Sequence, residues 1–260
     1  RPFLPNEMYD MISEIRNKLA AGEASIGCWL TSASALAAEA MASLGFDWLA
    51  VDMEHGAADI ESAISIFAAA ERHGATPFVR LPSADPYLAR RLLDAGAEGL
   101  IIPVVESADD FAEFARHCHY PPAGTRGVGL SRANQWGDRF DELVPGFRPF
   151  LVPQIETMRG VAEAEAIIGS DLTDAVFIGP YDLSASMGAH GDFSGPEFQE
   201  KLDTVLDACR RFGKAPGIHQ VGTDLDELRA KIKSGFRFVA YGTDLTAMRD
   251  ALKGFGDLQK

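Results

Sequence analysis

Cysteine is scarce: Cys28, Cys118 and Cys209 are the only three in 260 residues, and no two stand in a CxxC spacing. An odd, scattered set argues against a disulfide framework or a cysteine-built zinc site and fits reduced core thiols in a cytoplasmic enzyme. Positive charge is short as well, because 24 Lys and Arg face 38 Asp and Glu, leaving a formal net charge of −14. Nucleic acids and anionic membranes require basic patches, so neither is an expected partner. No apolar run reaches the roughly 18 residues of a membrane span, and the N-terminal stretch has no signal-peptide pattern. A glycine-rich phosphate turn is missing too. The first strand candidate runs into "CWLTSASA", which weighs against a doubly wound dinucleotide-binding sheet.

What is present is a 47% hydrophobic fraction, enough for a sizeable core and incompatible with a disordered chain. Short β-like runs alternate with amphipathic stretches from end to end. The runs begin at Ser25 (SIGCWL), Asp47 (DWLAVD), Thr76 (TPFVRL), Glu98 (EGLIIPV), Phe150 (FLVPQIE), Asp174 (DAVFIG), Lys214 (KAPGIH) and Phe236 (FRFVAYG). Between the second and third, Ile60, Ile64 and Phe67 recur at helical spacing, with Gly74 as a stop. Strict alternation implies parallel strands joined by right-handed crossovers. Eight such units in about 250 residues have the count and size of a (β/α)₈ barrel. "NEMYDMISEIRNKLAAG" reads as an extra helix before it, and no linker interrupts residues 1–260, so a single domain is expected. One connection, at about 119–149, far exceeds the usual span of about two to six residues. It carries "GTRGVG" with Arg126 and Arg132. Long irregular segments tend to be functional lids; a structural excursion at a subunit contact is the alternative.

Chemistry in such barrels collects where the strands end. The second strand runs into Asp52, Glu54 and His55, the third ends in Arg80, and the fifth in Gln154 and Glu156; Asp182 follows the sixth. The fifth and sixth strands are neighbours about 4.8 Å apart, so Glu156 and Asp182 should converge. Two close carboxylates repel, and the conflict is relieved by sharing a proton or by binding a cation. Three readings stay open: a divalent ion such as Mg²⁺ or Mn²⁺, a metal-free acid–base pair, or a helix N-cap at Asp182. Gln154 shares a face with Glu156, and Phe78 with Arg80. Asp52 and His55 can meet only if the chain turns after Asp52, which Gly56 permits; His55 then becomes a competent general base. Glu54 is expected to be solvated or to sit behind the site. No strand interior or C-terminal end carries a lysine, and Lys214 comes at the start of the seventh run, at the opposite mouth. Schiff-base chemistry is therefore disfavoured.

Taken in order, "VDMEHG", "VRLP", "YPPAGTRGVG", "PQIET" and "FIGPYDLSASMG" resemble the HpcH/HpaI family of metal-dependent pyruvate aldolases, over nearly the whole chain. The resemblance implies that Glu156 and Asp182 bind Mg²⁺, Mn²⁺ or Co²⁺, which a 2-oxo acid chelates, with Gln154 beside them. It makes Arg80 the stabiliser of an enolate oxygen. His55, oriented by Asp52, handles the proton of a 4-hydroxyl. The backbone N–H groups at Tyr181 and Asp182 would hold the substrate carboxylate, and Asp94 would reach a neighbouring subunit's site. Trimers or hexamers follow, with "GTDLTAMRDALKGF" as a contact. The implied reaction is retro-aldol cleavage of a 4-hydroxy-2-oxo acid to pyruvate, or hydroxypyruvate, and an aldehyde. An acyl-CoA lyase, which needs a basic nucleotide groove, and a non-catalytic 2-oxo-acid-binding barrel are the competing readings.

Overall fold

The computed structural model describes residues 8–255. Eight parallel strands close on one another in sequence order: β1 (Ser25–Leu30), β2 (Trp48–Asp52), β3 (Thr76–Arg80), β4 (Gly99–Ile102), β5 (Phe150–Ile155), β6 (Ala175–Ile178), β7 (Ala215–Gln220) and β8 (Phe238–Thr243). β8 pairs back onto β1 through Ser25, Ile26 and Gly27, completing the (β/α)₈ barrel. All eight expected strands form, and the extra helix before them spans Met8–Ala20. The helices start on local chemistry. Asp59 caps Ile60–Arg72 through Ser62 in a capping box, and Asp85 caps Pro86–Ala95, which has proline in its first turn.

The interior of the barrel is unusually aromatic. Trp48 stacks on Phe238 at 4.3 Å between ring centroids, and Phe78 and Phe150 close the layer at 5.5 Å from each other. A Cβ on Gly27 would stand 2.0 Å from the Trp48 ring, so this glycine makes room for the indole. Above that layer the inward positions change character. Trp29, Asp52, Arg80, Gln154, Phe177 and His219 form the floor and walls of a cavity at the strands' C-terminal ends.

Two expectations are revised here. In the helix Ile60–Arg72 the buried face is Ala63, Ile66, Phe67 and Ala70, while Ile64 is 38% exposed. The buried stripe runs at i, i+3, i+4 and i+7 from Ala63, which takes in Ile66 and Phe67 and leaves Ile64 on the outer side. The long excursion is not a lid on this chain's own mouth. It contains a 3₁₀ turn, Arg132–Gly137, and a helix, Phe140–Gly146. Arg132 binds Glu71 at 2.9 and 2.5 Å and the Ala95 carbonyl at 3.3 Å. Glu71 and Ala95 lie in the last turns of their helices. Helices in this fold run antiparallel to the strands, so those turns lie at the end where strands begin. The segment joins a helix to the following strand, and such connections belong to that face.

Candidate active site

The site is assembled from strand ends. Glu156 follows the last residue of β5 and is 4% exposed. Its Oε1 accepts the Val104 N–H at 2.7 Å, and its Oε2 accepts a bond from the Gln154 amide. The shared face of Gln154 and Glu156 is thus realised, as is that of Phe78, in the aromatic layer, and Arg80 in the cavity. The end of β6 comes very close: a Cβ on Gly179 would lie 2.6 Å from Glu156 Oε2. Only a glycine allows the "GPYD" turn to approach that carboxylate. Asp182 lies in the first turn of the helix Pro180–Ser186, whose N-cap is Gly179 with no side-chain cap bond. The capping reading of Asp182 is therefore excluded, and the residue lines the cavity.

The convergence of acids has an electrostatic signature. The Glu156 carboxyl is pushed up from 4.5 to about 7, chiefly by burial, with the charges of Asp182 and Glu54 adding to it. The bonds from Val104 and Gln154 oppose this and do not overcome it. Gln154 Oε1 is buried and has no hydrogen-bond partner among the described residues. A buried amide oxygen and two carboxylates make a hard, all-oxygen donor set, which fits Mg²⁺ or Mn²⁺. Among the described residues no group of three or more His, Cys, Asp or Glu side chains could hold a metal. A cation at Glu156 and Asp182 would therefore take its remaining ligands from water and substrate.

This arrangement sets a pH dependence whose sign is determined. Between pH 4.5 and about 7 the folded chain holds a proton on Glu156 that the unfolded chain has released. The group's contribution to stability is thus fully present below 4.5 and is lost as pH rises through about 7. A divalent cation requires the ionised form and competes with that proton. The rise in melting temperature on adding Mn²⁺ should be small at about pH 5.5 and large at about pH 8. Thermal denaturation across that range tests this. A metal-induced shift independent of pH would place the cation elsewhere.

Across the cavity, Asp52 and Arg80 stand opposite one another in the β2–β3 register. The guanidinium grips Asp52 by two bonds, at 3.0 and 2.5 Å, and reaches Glu54 at 3.0 Å. It also lies 5.1 Å from the Trp29 ring centroid. Burial raises the pKa of Asp52, but Arg80 and the neighbouring N–H donors outweigh it and hold the carboxyl below its ordinary value. Glu54, expected in solvent or behind the site, stands behind Arg80 as its second carboxylate partner, and burial raises its pKa although Arg80 and His55 draw it down. Asp52 accepts bonds from Trp29 Nε1 at 3.2 Å and from the backbone N–H groups of Glu54 and His55 at 3.0 and 3.1 Å. Its bond to His55 therefore runs through the main chain. Asp52 shapes the turn that presents the imidazole, rather than holding the ring. That turn needs Gly56, where a Cβ would meet the Asp52 carbonyl at 2.1 Å. His55 lines the cavity with Arg80 and Asp182.

Tyr181 lines the mouth, two-thirds exposed, with its ring edge-on to Phe193. Asp94 does not join the site of its own chain. It sits near the C-terminal end of the helix Pro86–Ala95, at the opposite face, where the buried Arg126 binds it at 2.6 Å. Among the described residues no lysine lines the cavity, and Lys214 is occupied at the far mouth by the Thr173 carbonyl. Among the lining residues that sequence reasoning did not single out are Trp29, His219 and Thr243. Trp29 stacks on Phe177 and on His219, at 5.8 and 4.7 Å between centroids. For Trp29 and His219 the available signal was inward parity along β1 and β7.

Comparison with known proteins agrees with this geometry. A 4-hydroxy-2-oxovalerate aldolase from Rhodococcus jostii is 40% identical over 248 residues, covering 91% of this chain and 92% of the relative. A hydroxypyruvate/pyruvate aldolase from Chromohalobacter salexigens is 38% identical over 233 residues, covering 88% and 91%. The crystal structure of an HpcH/HpaI aldolase/citrate lyase family protein from Burkholderia cenocepacia J2315 superposes with a TM-score of 0.87 at 33% identity, covering 95% of this chain and 99% of that one. With the family's own profile matching residues 25–251, the chain belongs to the HpcH/HpaI aldolase/citrate lyase family.

Proposed function

We propose that the protein is a divalent-metal-dependent aldolase that cleaves a 4-hydroxy-2-oxo acid, reversibly, to pyruvate or hydroxypyruvate and an aldehyde. Family membership and the aldolases among its relatives support a carbon–carbon lyase. The observation that carries the finer reading is the buried Glu156, whose carboxyl feels the charge of Asp182, at the edge of a cavity of about 330 Å³ that Gln154, Asp182 and Arg80 line. Glu156 and Asp182, with Gln154 alongside, would hold Mg²⁺, Mn²⁺ or Co²⁺, whose chemistry is to polarise a chelated 2-oxo acid.

The chain's own groups account for the rest. His55 accepts the proton of the 4-hydroxyl; the C3–C4 bond breaks, the aldehyde carbonyl forms, and the electron pair moves into the pyruvyl enolate. Arg80 spends three N–H contacts on Asp52 and Glu54 and has donors left for the enolate oxygen, where charge develops. Return of that proton from His55 to C3 of the enolate releases the 2-oxo acid and restores the imidazole. The N–H groups at Tyr181 and Asp182 would receive its carboxylate. Asp94, remote from its own cavity, is assigned to an adjacent copy's site in a trimer or hexamer. The exposed apolar residues Leu245 and Met248 on the helix Asp244–Ala251, with Leu252 at its C-cap, are suited to such an assembly. Three buried free cysteines fit a reducing, cytoplasmic setting.

Pyruvate release from a panel of 4-hydroxy-2-oxo acids tests the reading. Activity should vanish in EDTA and return with Mg²⁺, Mn²⁺ or Co²⁺. Cleavage that persists in EDTA and is trapped by borohydride would overturn it.

A further inference from the structure

One wall of the cavity is left unused by the proposed chemistry. β7 and β8 bring His219 and Thr243 together there, with His219 Nε2 at 3.2 Å from Thr243 Oγ1 and 3.4 Å from the Gly242 carbonyl. Both residues line the cavity, and the stack on Trp29, tilted by 25°, fixes the plane of the imidazole. We infer that His219 and Thr243 form a specificity wall that recognises an uncharged hydroxyl on the substrate, on a carbon next to a reacting carbonyl.

The donor inventory supports this class over others. A neutral imidazole has one N–H and one bare nitrogen; when Nε2–H turns to the Gly242 carbonyl, Nδ1 is left as an acceptor. The Thr243 hydroxyl can both donate and accept. A wall that combines an acceptor with a donor matches a hydroxyl, which is itself both. It does not match a second carboxylate, which has no proton to give and would need a cation. His219 cannot serve as that cation, since burial first, and then the charge of Arg80, drives its pKa down to about 4. An apolar substituent would offer neither group a partner beyond the contacts His219 makes with Thr243 and Gly242, leaving Nδ1 without a donor, a mismatch that binding sites discriminate against.

This assignment rests on the aldolase reading and narrows its substrates. The hydroxyl can belong to the donor, as in 3-hydroxypyruvate, or to the acceptor, as in a 2-hydroxyaldehyde. Carbon–carbon bond formation with Mn²⁺ present separates them, using wild type, His219→Leu, Thr243→Val and His219→Gln. One pair of reactions compares pyruvate with hydroxypyruvate, each with acetaldehyde. The other compares acetaldehyde with glycolaldehyde, each with pyruvate. In wild type, kcat/KM should favour the hydroxylated member of one pair. His219→Leu should cut that preference about tenfold, mainly through KM, with Thr243→Val acting in the same direction. His219→Gln, which keeps an acceptor, should retain part of it. The pair that responds identifies which substrate carries the hydroxyl. The Mn²⁺-induced rise in melting temperature should be unchanged in all variants, so that a lost fold is not mistaken for lost recognition. Wild-type preferences that stay within twofold in both His219→Leu and Thr243→Val would overturn the assignment while leaving the aldolase intact. A wild type that forms no product with either donor would instead sink the aldolase reading itself.

Discussion

Glu156→Gln should lower kcat/KM for retro-aldol cleavage by at least about a thousandfold, about 4 kcal/mol of transition-state stabilisation. The substitution is close to isosteric and retains an oxygen that can accept the Val104 N–H, so the fold should survive. What it removes is the charge, and with it half of the carboxylate pair proposed to hold the cation. Isothermal titration should show Mn²⁺ affinity falling about a hundredfold or more, and Asp182→Asn should behave alike. Because Glu156 is buried and its ionised form is disfavoured without a counter-ion, apo Glu156→Gln should also be as stable as the apo wild type, or more so, at about pH 8. Full activity in Glu156→Gln at saturating metal would sink the proposed site.

Arg80→Lys is the second decisive change. A lysine keeps a positive charge beside Asp52 and Glu54, and so avoids leaving the nearly buried Asp52 without a cation. It cannot reproduce the paired contact with Asp52 together with the reach to Glu54 and a donor left over for substrate. The expected result is a fall in kcat of about a hundredfold or more, with a smaller change in KM. The metal-induced thermal shift should remain. That combination separates loss of a transition-state donor from loss of the metal. An equal loss of kcat and of metal affinity would mean that Arg80 acts by organising the acids, and a normal kcat would exclude it from charge stabilisation.

The site was partly readable from residue types at strand ends. Glu156, Asp182, Arg80 and His55 were visible because polar residues closing apolar runs stand out, and strand parity assigned Gln154 and Phe78 to the correct face. Trp29 and His219 were not, because an aromatic residue inside a strand looks like core until its neighbours are known. For Glu54 the turn left solvent and a place behind the site both open, and the placement of Arg80 on the adjoining strand decides for the second. The role of Asp52 also changed. A sequence separation of three shows that Asp52 and His55 can meet, but not whether they meet by ring or by backbone.

The sequence by itself determined the eight-fold alternation, the parallel closure and the identity of the acids at the mouth. Those follow from periodicity and from the two-residue repeat of a strand, which are local properties of the chain. Only the tertiary structure decided which face the long excursion covers, where Asp94 lies, and which polar groups share the cavity with the acids. Side chains from β1, β2, β3, β7 and β8 meet there across distances in sequence that no local rule spans. Burial then fixes what each can do: it makes Glu156 reluctant to ionise, keeps His219 neutral, and turns Arg80 and Asp52 into one paired unit.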